Sequence, residues 1–374
     1  MRSSSGSTRT INRVLPSIDC QQPFLSMSAI RAIEHMKHIR IIHNTEYHYN
    51  EPVTFGPHRA MVRPREGHDL HIVASKFEIE PAAEVRWHRD IYGNSIAIIN
   101  FLEPSAKLRV YSEVDVDIYD EYALDCSIDP LGQSYPFQYS ADEQVELFPF
   151  RLPSYPADGA VIHEWLSSLY QPGQLLNTAE LLIRLNTRIF ESFQYMHREE
   201  PGVQLPCQTI SMGTGSCRDY AVLMMEAARH WGLAARFVTG YIQMGAEQHG
   251  ATHAWTEIYL PGAGWRGFDP TNNKLASAEH VSVGVAREQD KASPLAGYWS
   301  GPSDAFNRME VNVQVFDTNE LPVTPPSPPP MEPSLPASVD GGMPVPAPEV
   351  MGSSLPSPAP VSEMPVSTPE TVSQ

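Results

Sequence analysis

The chain has 374 residues, 41% of them hydrophobic, with 26 Lys and Arg against 44 Asp and Glu. A net charge of −18 repels nucleic-acid backbones and anionic membranes on average, and no stretch approaches the roughly 18 unbroken apolar residues that span a bilayer. The four cysteines, Cys20, Cys126, Cys207 and Cys217, form no CxxC pair and no disulfide framework, which points to a reducing, cytoplasmic setting.

Residues 1–35 hold Arg and Ser but no apolar core of a secretory signal. Strand-like alternation begins directly after Met36, so the fold is expected to start there. The preceding stretch then reads as a disordered extension or an over-extended start. From 36 to 122 the chain reads as short strands with turn signals. "IRIIHNTEYHY" and "HIVASKFEIEP" alternate, "YGNS" marks a turn at Gly93–Asn94, and "KLRVYSEVDVDIYD" places Val110, Val114, Val116 and Ile118 on one face. This is an all-β, sandwich-like domain. Residues 123–155, rich in Pro, Asp and Tyr, read as a connector.

Between 156 and 317 the period changes, and the class is α+β. Asp158 is a candidate N-cap ahead of a stripe of Ile162, Leu166 and Leu169. A second helix carries Leu181, Leu185, Ile189 and Phe193. A third runs from "SCRDY" through Leu223, Met224 and Ala227 to Trp231 and stops at Gly232. An antiparallel meander follows: "AARFVTGYIQM", "HAWTEIYLP" and "GWRGFDP", the last two joined by the turn "PGAG". From 318 to 374 the composition collapses to Pro, Ser, Val and Met, with no Lys or Arg beyond Thr318. Such a segment reads as a disordered polyproline-II tail, solvated or taken by a Pro-binding domain.

Cys217 stands at the third helix's start, where free N–H groups and the helix dipole favour a negative sulfur. Gly213, Gly215 and Ser216 leave room for a substrate backbone and free the Cys217 N–H for an oxyanion. A thiolate of this kind needs a base and an orienting acceptor. His253 begins one strand and Asp269 ends the next, and the tight hairpin sets these ends side by side. Taken singly, each of the three residues has an ordinary structural explanation. Together their chain order falls on the elements that a nucleophile, base and acid require. A zinc site from Cys207, Cys217, His249 and His253 lacks any standard ligand spacing. No calcium loop of the DxDxDG kind is present, so no metal or other cofactor is expected.

The stretches "FQYMHREEPGVQLPCQTI", "GTGSCRDYAVLMMEAARHWG" and "THAWTEIYLPGAGWRGFDPTNN" resemble the bacterial transglutaminase-like superfamily, with its papain-like cysteine-protease core. The β-rich segment resembles the N-terminal domain found with that core in bacterial members. The resemblance implies Cys217 as nucleophile, His253 as base and Asp269 as orienting carboxylate. It implies the Cys217 N–H as an oxyanion donor, with Gln208 a weaker candidate for a second. Trp255 and Trp265 would wall the groove or fill the core, and Arg218 and Asp219 would form a structural pair at the helix start. The expected activity is acyl transfer on peptide or carboxamide bonds through a thioester, with hydrolysis favoured over transamidation (cross-linking). The rival from another class is a non-catalytic peptide-binding module on the same fold.

Overall fold

The strand β1 (Lys37–Phe55) is long enough to serve two different cores, because its buried residues alternate along nearly its whole length. The computed structural model describes residues 36–119, 128–198, 200, 202–243 and 250–318. The expectations for Cys20, Cys126, His249, the N-terminal extension and the Pro-rich tail after Thr318 lie outside these residues. The strands β2 (His58–Ala60), β3 (Leu70–Glu80), β4 (Ala83–Arg89), β5 (Ser95–Phe101) and β6 (Ser105–Ile118) follow in the first half.

Further along come β7 (Ser134–Tyr135), β8 (Leu176–Asn177), β9 (Gln194–Tyr195) and β10 (Thr214–Gly215), then the main strands of the second half, β11 (Ala235–Ile242), β12 (His253–Leu260) and β13 (Gly264–Asp269). The series ends with β14 (Lys274–Leu275), β15 (His280–Ala286), β16 (Leu295–Ala296), β17 (Trp299–Ser300) and β18 (Phe306–Asp317). One N-terminal sheet runs β17-β1-β6-β3, with β18 also on β1; the other runs β16-β2-β5-β4. Tyr49, Val53, Phe55, Ala97, Ile99, Leu108 and Val110 fill the space between them, as a sandwich requires.

The far ends of β1 and β6 face a different partner. Ile39, Ile41, Val114, Val116 and Ile118 pack on Tyr241, Val281 and Val283 of the second lobe. His43 sits in this seam, its Nδ1 2.8 Å from Tyr241 Oη and its Nε2 2.7 Å from Thr45 Oγ1. Burial drives its pKa down to about 4, so the seam is held by a neutral imidazole.

The second lobe is a five-stranded sheet, β14-β13-β12-β11-β15, covered by helices. The helix Thr178–Ser192 starts on Asn177, whose Oδ1 accepts from Glu180 N at 2.9 Å. It buries Leu181, Leu185 and Ile189. The helix Cys217–His230 lies against β12, and Thr256 Oγ1 donates to Ala221 O at 2.7 Å to tie the two together. Gly240 on β11 allows close packing beneath it, since a Cβ there would fall on Val281 O and the Trp255 ring.

Two local expectations give way to the structure. Asp158 precedes the helix Gly159–Leu166 but makes no side-chain cap; its Oδ2 instead accepts from Cys207 N at 3.0 Å. The expected core runs from 156 to 317, yet β16, β17 and β18 at its end pair into the N-terminal sheets, β18 from Ile39↔Asp317 to Tyr49↔Phe306. Short alternating strands carry no mark of which sheet they will join.

The described part of the connector, finally, is bolted to the helix Cys217–His230. Glu226 Oε2 accepts from Ser154 N and Tyr155 N, and Arg229 donates to Glu226, Ser154 Oγ, Phe150 O, Ala235 O and Arg287 O. The Glu226–Arg229 side chains are 1% and 0% exposed, so removing one partner strands a buried charge. Arg229→Ala is expected to lower stability by about 3–5 kcal/mol, read from a shifted midpoint in chemical denaturation.

Candidate active site

The turn that presents Cys217 is fixed from both sides. The helix Pro206–Met212 ends on Gly213, in the left-handed region at φ 70°, where a Cβ would be strained. Thr214–Gly215 then pairs in parallel with Gln194–Tyr195, and Met196 N donates to Gly215 O at 2.8 Å. Ser216 is the N-cap and Cys217 the first residue of the next helix. Asp219, fully buried, gathers the loop around it. Its Oδ2 accepts from Ser216 N and Ser216 Oγ, each at 2.8 Å, and its Oδ1 from Gln204 N at 2.7 Å.

The expected Arg218–Asp219 pair is replaced by Arg198–Asp219, with Nη1 at 2.9 Å and 3.1 Å from the two carboxylate oxygens. Arg218 turns to the carbonyls of Arg198 and Glu200. An adjacent residue on a helix points to a different face, so the partner comes from another segment.

Cys217, His253 and Asp269 come together. His253 Nε2 donates to Asp269 Oδ2 at 2.8 Å, and the Cys217 side chain lies within hydrogen-bonding reach of the same ring. Burial disfavours the charged ring, but the bonds to Asp269 and Cys217 and their charges outweigh it and push His253 up to about 10. Burial likewise disfavours ionised Asp269. Hydrogen bonds from His253, His280 and Asn272, with the His253 charge, hold it well below the usual carboxylate range.

Asp269 has more partners than the sequence suggests. His280 Nε2 reaches Oδ2 at 3.1 Å and Asn272 Nδ2 reaches it at 2.7 Å; Thr271 N donates to Oδ1 at 2.9 Å. Neither Asn272 nor His280 is singled out by the sequence; His280 opens β15 eleven residues after Asp269, with no spacing rule to mark it. His253, Asp269 and His280 present ligand atoms within 4.8 Å of one another. The shared Oδ2 accepts from both rings at hydrogen-bond length, so these contacts are already satisfied without an ion.

The remaining candidates divide. Trp255 is buried core, its ring stacked near His253 at 6.1 Å. Trp265 lies half-buried over the Arg236 guanidinium at 4.2 Å. Gln208 Oε1 accepts from Leu205 N at 2.9 Å, closing its own helix start. Cys207 is a free thiol, raised by burial and by its hydrogen bond to Asp158. Tyr195, half exposed, is an electrostatic neighbour of Cys217 at the mouth of the site. Among the described residues no helix is long and apolar enough to cross a membrane.

Comparison with known proteins agrees with this architecture. Residues 39–117 match the bacterial transglutaminase-like N-terminal region, and residues 172–270 match the transglutaminase-like superfamily. An uncharacterized protein of Mycobacterium tuberculosis is 27% identical over 303 residues, spanning 75% of this chain and 94% of the relative. One of Mycobacterium leprae is 24% identical over 276 residues, spanning 71% and 94%. A solved structure from Cytophaga hutchinsonii, described as a candidate cysteine protease, superposes with a TM-score of 0.59 at 19% identity. It covers 77% of this chain and 93% of its own, and it speaks for the fold. The core over residues 172–270 is thus similar to the transglutaminase-like superfamily, and the β sandwich in front of it to the bacterial transglutaminase-like N-terminal region.

Proposed function

We propose that the chain is a cysteine-dependent acyl-transfer enzyme acting on peptide or carboxamide bonds, with Cys217, His253 and Asp269 as its catalytic triad. One observation carries this reading: His253 Nε2 lies 2.8 Å from the buried carboxylate of Asp269, and Cys217 is a neighbour that acts on the same ring. A ring kept protonated at neutral pH is the counter-ion that a thiolate needs.

The chemistry follows from that arrangement. The Cys217 sulfur attacks the carbonyl carbon, and the oxyanion meets the Cys217 backbone N–H, which has no partner within its helix because it belongs to the first turn. The C–N bond breaks as His253 passes its proton to the departing amine, leaving a thioester on Cys217. Water then attacks, giving its proton to His253, and the acid leaves as the thiolate and imidazolium are restored. Cys217 is only partly buried and Tyr195 beside it is half exposed. That openness lets water reach the acyl-enzyme and favours hydrolysis over transfer to a second amine. Among the described residues, Cys207 and Cys217 are free thiols, which suits a reducing, cytoplasmic compartment.

Iodoacetamide at neutral pH is expected to alkylate Cys217 selectively, with Cys207 slower by an order of magnitude and serving as the internal control. Peptide mapping by mass spectrometry reads this out, and loss of selectivity would favour a peptide-binding module. Incubating a glutamine peptide with and without a primary amine should yield the acid in both cases; an amine adduct as main product would establish transamidation.

The His253–Asp269 pair also sets a pH dependence. A ring raised from the ordinary range of about 6.5 to about 10 contributes stability that is complete below the unfolded value and lost as pH rises through the folded one. The stability difference between wild type and His253→Gln should therefore shrink steadily from near pH 6.5 to near pH 10, as followed by thermal denaturation.

A further inference from the structure

We propose that His280 is a positioning residue for the triad, holding the Asp269 carboxylate in place and limiting how tightly it grips the His253 proton. This inference rests on the Cys217–His253–Asp269 reading and concerns its third member. His280 begins β15, beside β11, and its side chain is fully buried. Its Nε2 lies 3.1 Å from Asp269 Oδ2, the same oxygen that takes the His253 proton donor. Its Nδ1 accepts from the backbone N–H of Ser277 at 3.4 Å.

An imidazole nitrogen that accepts from a backbone amide carries no proton, so the ring proton sits on Nε2 and points at the carboxylate. The loop Ser277–His280 reinforces this choice, because His280 N in turn donates to Ser277 O at 2.8 Å. Neither contact depends on substrate. The ring also meets the Trp255 face edge-on at 5.3 Å, which fixes its plane.

The consequence for catalysis is electrostatic as well as geometric. The His253 ring faces Cys217, Asp269, Asn272, Trp255 and His280. His280 and Asn272 both donate to Oδ2 and draw negative charge from it. A carboxylate bonded to His253 alone would hold that proton harder, and His253 must release it to the departing amine. The bond to Asp269 keeps the ring paired with the thiolate, and His280, by drawing charge from Oδ2, leaves the ring acidic enough to protonate a leaving group.

The titration of His253 tests this without requiring turnover. Ring-carbon NMR in a Cys217→Ala background removes the thiol's contribution and follows His253 directly. His280→Phe is expected to raise the His253 midpoint by roughly one pH unit, the size of one hydrogen bond to a charged group. His280→Gln, which can donate to Asp269 and accept from Ser277, is expected to restore the parent midpoint.

Equal midpoints in the Phe variant and its parent would overturn the proposal, as would a shift that Gln fails to restore. Should the Phe variant not fold, the ring nitrogen shifts of His280 in the unmutated chain decide. A proton on Nε2 supports the proposal, and a proton on Nδ1 refutes it. Failure of the underlying triad would show separately, as absence of selective Cys217 alkylation in the wild-type chain.

Discussion

Burying a carboxylate without solvent contact costs several kcal/mol unless donors surround it, and the second lobe is arranged so that donors converge on Asp269. Its side chain is 0% exposed, and its two oxygens accept from two imidazoles, a carboxamide and the backbone of the following turn. Those donors come from β12, the turn after β13 and the start of β15. The sheet must therefore close in its native register before the carboxylate can be ionised in the interior. The orientation of His253, and through it the environment of Cys217, depends on that closure.

A second buried carboxylate performs the matching task on the helix side. Asp219 binds the N-cap residue, the loop at Gln204 and the guanidinium of Arg198. Cys217 thus stands between two acids with different duties, one shaping the backbone that carries the sulfur and the other polarising the ring that faces it. The tie between Thr256 Oγ1 and Ala221 O fixes the distance between these halves. The placement of Cys217, His253 and Asp269 is then set largely by the helix and strands that carry them.

Much of this was legible in the amino-acid order. The helical stripe of Leu181, Leu185 and Ile189 is buried, and Val110, Val114, Val116 and Ile118 line one face of β6. Cys217 at a helix start, His253 at a strand start and Asp269 at a strand end follow from local period and turn signals, and the fold brings them together. What escaped was set by tertiary pairing. His280 offers no spacing signal, Arg198 replaces the neighbouring Arg218 as the partner of Asp219, and Asp158 serves Cys207 N in place of its own helix. Each of these bonds joins residues brought close by folding rather than by sequence, where periodicity carries no information.

The return of β18 to β1 has an evolutionary and practical meaning. The last described strand threads back into the sheet with which the chain began, and β16 and β17 stitch to β2 and β1 on the way. No single cut in the chain therefore separates the two lobes with their strands intact. Cutting between them would leave β1 with an unpaired edge inviting strand addition from another chain, and would strip cover from the Tyr241 face of the core sheet. Front lobe and thiol-bearing lobe are spliced by a strand that follows the one in sequence order and joins the other by hydrogen bonding.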